Sequence, residues 1–192
     1  MRKKVYLVST SPRRKAILSK LLGGRYFVLS NFHNEVTEHN KDPYIQVRSN
    51  CIGKIRSAEI KPSNSILIAS DTVVVLGRRI LGKPVTRISA IDMLKLISGK
   101  VVYVISGVAV LDTQKAKLLY AHEKTAVKIK KLSIPEIKKY VSTGEPLDKA
   151  GAFAIQGRGG SFVEWIEGEL SNVIGLPVQQ LLKILRQCGA VK

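Results

Sequence analysis

The residues best suited to chemistry gather in the stretch Leu67 to Pro84, which reads LIASDTVVVLGRRILGKP. Ser70, Asp71 and Thr72 interrupt a run of aliphatic residues, and Gly82-Lys83-Pro84 closes it. A carboxylate at the exit of an apolar strand is held rigidly by its neighbours, as a general base or metal ligand must be. The plain alternative is an aspartate that caps a turn. Lys83 favours the first reading, because a cation beside a fixed acid, with Gly82 allowing close backbone approach, suits a phosphate bound with a divalent ion. A second concentration is Ser9-Thr10-Ser11-Pro12-Arg13-Arg14, at a strand-to-helix turn. Backbone N–H groups, hydroxyls and two guanidiniums converge there, which suits an anion; a capped helix with solvated arginines fits the same residues. In the loop after the second strand, His33, Glu35, Glu38 and His39 offer metal-binding groups, although loop histidines are ordinarily just exposed. Lys54 adjoins an apolar helix face, from which it either reaches a cleft or snorkels to solvent.

These residues need elements to place them. Lys4 to Ser9 reads as a strand, with Ser11 and Pro12 opening a helix that carries Ile17, Leu18, Leu21 and Leu22 and ends at Gly23-Gly24. Tyr26 to Asn31 is a second strand, and Asp42-Pro43 opens a helix to Ile60 with Val47, Cys51, Ile55 and Ala58 on one face. The Leu67–Pro84 stretch reads as a buried strand ending at Asp71, a second strand, a Gly-Arg-Arg turn and a short return strand. Ser89 caps the next helix; Val101 to Leu111 and Leu118 to Ile129 are strands. Glu123 falls on an apolar strand face and is expected to pair with a basic residue. Ser133 and Glu136 have capping-box spacing, the glycine-rich Thr143 to Pro177 segment sets Glu145, Asp148, Lys149, Gln156 and Arg158 on turns, and Ser161 to Ile166 is a strand. Pro177 opens a last amphipathic helix. Strands and helices alternate but hairpins interrupt them, so a mixed α/β sheet is expected rather than an all-parallel one.

At 192 residues and 45% hydrophobic, the chain can bury a real core in one domain, residues 1–192, or in two lobes sharing a cleft. No apolar run is long enough for a membrane-spanning helix, and the N-terminus lacks the long apolar region of a secretion signal. Cys51 and Cys188 are isolated and suit buried thiols in a reducing cytoplasm. The formal charge of +18 favours anionic partners, although no RNA-binding aromatic pattern accompanies the basic clusters, among them Arg2-Lys3-Lys4.

Taken in order, Ser9 to Arg14, Ser70-Asp71-Thr72 with Leu81 to Pro84, Ser98-Gly99 leading to Ser106-Gly107-Val108, Gly144 to Gly151 continuing to Ile155 to Gly159, and Asn172 to Pro177 resemble the Maf family of nucleoside triphosphate pyrophosphatases. The resemblance covers nearly the whole chain. It implies an elongated two-lobed α/β fold, a mixed twisted sheet flanked by helices around a central cleft, like that of the related inosine-triphosphatases. It implies hydrolysis between the α- and β-phosphates with a divalent cation, Mg²⁺ or Mn²⁺. It assigns the catalytic acid to Asp71, the anion-binding turn to Ser9, Arg13 and Arg14, and a cleft carboxylate and lysines to Glu35, Lys54 and Lys83, with Glu35 and Asp71 as metal ligands. Arg13, Thr72 and Ile155-Gln156-Gly157 match the branch acting on thymidine and uridine triphosphates, which places Thr72 and Gln156 beside the substrate. A homodimer is compatible with such folds; nucleic acid is the less favoured partner, and no membrane is implied. The competing reading is a basic regulatory protein that binds nucleotides or nucleic acid, of the kind linked to septum formation or growth arrest. Such a binder gains nothing from Asp71 in a basic cleft.

Overall fold

The computed structural model describes residues 3–35, 38 and 41–191. Arg2 and His39 therefore lie outside the described residues. A mixed sheet of seven strands runs through them in the order β2-β1-β3-β5-β6-β7, with β4 paired to β3. The strands are β1 (Lys4–Val8), β2 (Phe27–Leu29), β3 (Ser65–Leu76), β4 (Arg79–Leu81), β5 (Val101–Asp112), β6 (Lys117–Ile129) and β7 (Val163–Glu167). β1 pairs in parallel with β2 and β3, joined through α1 (Pro12–Leu22) and α2 (Pro43–Arg56); all other pairings are antiparallel. The remaining helices are α3 (Arg87–Ile97), α4 (Ile134–Ser142), α5 (Leu170–Ile174) and α6 (Val178–Gln187). The mixed α/β sheet flanked by helices is as the sequence led us to expect.

The structure revises the reading of the central stretch. No strand ends at Asp71: β3 continues through it, paired with β5 from Ile66↔Asp112 to Val75↔Tyr103. The apolar residues on both sides of Ser70-Asp71-Thr72 are buried on both faces, and that demand carries the polar triplet along inside the strand. Strand alternation then sends Asp71 and Thr72 to opposite faces. Leu67, Ala69, Val73 and Val75 pack with Val47, Cys51 and Ile55 of α2, so Asp71 shares the α2 face. On the other face, Ile66 and Ile68 pack with α1 and α6, while Val74 joins a cluster with α3 and α4.

Other boundaries move for local reasons. Thr86, not Ser89, is the N-cap of α3; Ser89 sits three residues later and completes a reciprocal capping box. α2 stops at Arg56 rather than Ile60, with the Ser57 N–H bonded to Gly53 O. Ser11 stands at the N-cap of α1 without a side-chain cap; its N–H instead donates to Ser9 Oγ. Among the described residues Glu123 pairs with no cation: its Oε2 accepts from Gln180 Nε2 of α6 at 2.9 Å. Ser133 and Glu136 form the expected capping box of α4. Among the described residues, no helix is long and apolar enough to cross a membrane.

Candidate active site

Asp71 is buried at the floor of a cleft of about 480 Å³. That volume lies within the range of pockets that enclose small ligands, about 300–1,000 Å³. Lys54, from α2, donates to Asp71 Oδ1 at 2.9 Å and to the Ser70 carbonyl at 3.0 Å, and its Nζ lies 2.6 Å from Glu35 Oε1. The second carboxylate oxygen, Asp71 Oδ2, accepts from Asn50 Nδ2 at 2.9 Å. Asn50 and Lys54 stand one turn apart on α2, both buried, so one helix face fixes both oxygens of the acid. The cation beside Asp71 is thus Lys54 and not Lys83, whose Nζ lies 3.8 Å from Glu35 Oε2 with most of its side chain in solvent. Burial pushes the Glu35 carboxyl up, but Lys54, by charge and hydrogen bond, outweighs burial with Lys83 and Arg14 behind it, and the carboxyl sits below its ordinary value. Cys51 lies beneath on the same helix; burial and then the Asp71 charge push its thiol up to about 12, so it stays an uncharged packing residue.

The Ser9–Arg14 turn forms the adjoining wall. Arg14 reaches across: its Nε donates to Gly175 O at 2.9 Å and its Nη2 to Thr72 Oγ1 at 3.4 Å. The same carbonyl accepts from Ser70 Oγ at 3.0 Å and Thr72 Oγ1 at 3.4 Å, while Thr72 Oγ1 and Ser106 Oγ are 2.8 Å apart. Gly175 has φ 126, a backbone region that favours glycine. One carbonyl thereby ties β3, α1 and the turn after α5 together. Arg13 Nη1 faces Asp148 Oδ2 across the cleft at 3.8 Å.

The opposite rim is the segment 148–156, with Asp148, Lys149 and Gln156 lining the cleft. The carboxylate of Glu145 organises this rim by accepting from the N–H groups of Arg158 at 3.1 Å and Gly159 at 3.2 Å and from Tyr140 Oη at 3.0 Å. A Cβ at Gly157 would lie 2.3 Å from Glu145 Oε1, so glycine there makes room for that carboxylate rather than for a ligand. Every residue that the resemblance assigned to the site, Ser9, Arg13, Arg14, Glu35, Lys54, Asp71, Thr72, Lys83 and Gln156, lines this one cleft.

A family model described as Maf-like protein matches residues 4–188. The chain belongs to the Maf-like family. It is 43% identical over 189 residues to a dTTP/UTP pyrophosphatase of Methanococcoides burtonii, covering 97% of this chain and 96% of that protein. It is 40% identical over 189 residues to a dTTP/UTP pyrophosphatase of Dictyoglomus turgidum, covering 98% of each. Among solved structures, a HAM1 protein from Coxiella burnetii is similar at TM-score 0.47 and 12% identity, over 96% of this chain and 99% of that one. That likeness is too slight to add to the assignment.

Of the three carboxylates of this Maf-like chain that line the cleft, Glu35 and Asp71 share Lys54 while Asp148 stands across at Arg13, and no group of three or more His, Cys, Asp or Glu among the described residues is placed to hold a metal ion. Mg²⁺ is ordinarily held by one or two carboxylates together with substrate phosphates and water. The donor set therefore fits a cation that arrives with a triphosphate. Sequence reasoning passed over Asn50, weighed His33 only as a loop metal ligand or an exposed histidine, and gave Glu145 no role beyond its turn. His33 is half-buried, not exposed, and its Nε2 lies 3.1 Å from Asn50 Oδ1.

Proposed function

We propose that the chain hydrolyses nucleoside triphosphates between the α- and β-phosphates, releasing a nucleoside monophosphate and pyrophosphate, and prefers dTTP and UTP. The observation that carries this reading is the Asp71 carboxylate, clamped at both oxygens on the floor of a cleft otherwise rich in cations. Its clamped oxygens keep lone pairs on which a water can be oriented and relieved of its proton as it attacks phosphorus. Arg13, Arg14 and Lys83 line the cleft and supply charge-assisted hydrogen bonds to the phosphates, Arg14 with the part of its fork not engaged by Gly175 and Thr72. Lys54 is too buried and too engaged to follow the substrate; it holds Asp71 and Glu35 in place. A divalent cation, held by Glu35 and Asp71 with the phosphates, would offset the charge that develops on the departing pyrophosphate. At the base end, the exposed Gln156 amide presents a donor and an acceptor, matching the carbonyl and N–H edge of uracil or thymine. The family membership and the names carried by its relatives point the same way.

The test is a panel of dTTP, UTP, CTP, dATP, GTP and a methylated guanosine triphosphate, with pyrophosphate detection and with or without Mg²⁺ or Mn²⁺. dTTP and UTP should be the best substrates, and turnover should need the cation. A purine as best substrate overturns the base preference, and no pyrophosphate from any nucleotide overturns the enzyme.

A further inference from the structure

We infer that His33, Asn50 and Gly53 form a relay that sets the orientation of the Asp71 carboxylate. The inference rests on the reading of Asp71 as the catalytic carboxylate. None of the three acts on substrate directly; each works through its neighbour. An ionised carboxylate can only accept hydrogen bonds, so the Asn50 amide must turn its NH₂ toward Asp71 Oδ2, 2.9 Å away. The amide oxygen then points the other way, to within 3.1 Å of His33 Nε2. That nitrogen must carry a hydrogen, because two acceptors at this distance repel. One negative charge at the end of the chain thus dictates the direction of both hydrogen bonds. Read backwards, the His33 Nε2–H group locks the Asn50 amide. Without it, the amide loses the hydrogen bond that favours this orientation over the flipped one, in which its oxygen would face the carboxylate that it now holds.

Gly53 supplies the seat. It lies three residues after Asn50 on α2, and a Cβ built there would come within 2.3 Å of His33 Cε1 and 2.5 Å of Nδ1. The ring therefore rests on bare helix backbone, and any side chain at 53 would push it off Asn50. A loop residue, a helix residue and a glycine separated by up to twenty positions in sequence converge on one carboxylate oxygen, Asp71 Oδ2, to which the Asn50 amide donates.

The experiment compares H33L, H33Q, N50L and G53A with wild type and D71N, on dTTP with Mg²⁺, recording kcat, KM and melting temperature. H33L and N50L remove the relay's N–H groups. G53A keeps both partners and closes the seat, and alanine is itself the better helix former. A carboxylate turned out of position costs about 10–100-fold in kcat and leaves KM nearly unchanged, since phosphate gripping lies elsewhere. H33Q places an amide N–H where the ring N–H stood and should recover most of what H33L loses. Wild-type kcat in H33L and N50L, alongside an inactive D71N, overturns the relay; H33Q as impaired as H33L overturns the hydrogen-bond role in favour of packing. Full turnover in D71N instead overturns the reading of Asp71 itself. A readout independent of turnover is nitrogen NMR of the imidazoles: neutral His33 should carry its proton on Nε2, and the Nδ1–H form contradicts the relay.

Discussion

Replacing Lys54 by methionine should destabilise the protein through the acids it leaves behind. Only 4% of the Lys54 side chain is exposed, and its ammonium serves Glu35, Asp71 and the Ser70 carbonyl at 2.6, 2.9 and 3.0 Å. Methionine keeps the length and apolar stem and deletes the charge. Removing one member of a buried ion pair costs about 3–5 kcal/mol, because the other charge loses its compensation. Asp71 retains the Asn50 donor and borders a cleft that water can enter, which places the loss at the lower end, about 3 kcal/mol. For a chain of 192 residues this is a fall in Tm of roughly 6–12 °C. Urea unfolding of wild type, K54M, D71N and the double variant at neutral pH measures the coupling, expected at about 1–3 kcal/mol because the two groups touch. The pH dependence has a definite sign. Lys54 helps to hold the Glu35 carboxyl below its ordinary value, so that contribution is present above the unfolded value of ~4.3 and is lost as pH falls through the folded one. The gap between wild type and K54M should therefore narrow on acidification. Losses that add within about 0.5 kcal/mol, with a gap that is flat in pH, would refute the reasoning.

Three further predictions concern the cleft and the fold. R13A and K83A should each weaken triphosphate binding by about 1.5–3 kcal/mol, read in steady-state kinetics, and unchanged KM and kcat in both would mark them as solvated charges. Q156L should flatten the preference for dTTP and UTP over dATP and GTP in the nucleotide panel while leaving phosphate chemistry intact; an unaltered preference ends the role of Gln156 in base choice. Asp112 is buried, which raises its carboxyl, but Lys3 and the N–H groups of Lys115 and Gln114 outweigh burial and hold it low. Its contribution is present above the unfolded value of ~3.9 and lost as pH falls through the folded one, so D112N should remove that part of the acid-side fall in stability.

The elements that place the site were legible where a local pattern specifies them. The strand, Pro12 and Arg13-Arg14 of the anion-binding turn, the capping box at Ser133 and Glu136, and the long apolar strands all follow from spacing and turn chemistry. Asp71 was legible as a residue and misread as a strand end, because a polar triplet inside an apolar run looks like a break until burial on both faces is known. Asn50 left a signal that went unread. Gln46, Asn50 and Lys54 recur every four residues and are all buried, a polar stripe beside the apolar stripe of Val47, Cys51 and Ile55. The contact between His33 and Asn50, the gathering of Arg14, Ser70 and Thr72 on Gly175 O, and the seat that Gly157 makes for Glu145 depend on how distant segments meet. No periodicity encodes such meetings.

The most direct test of the account is product analysis of dTTP incubated with Mg²⁺ and either wild type or D71N. Wild type should yield thymidine monophosphate and pyrophosphate in equal amounts, with no diphosphate intermediate. D71N should fold as wild type does and release pyrophosphate about 10²–10⁴-fold more slowly. Thymidine diphosphate and inorganic phosphate as products, or a D71N turnover close to wild type, would contradict it.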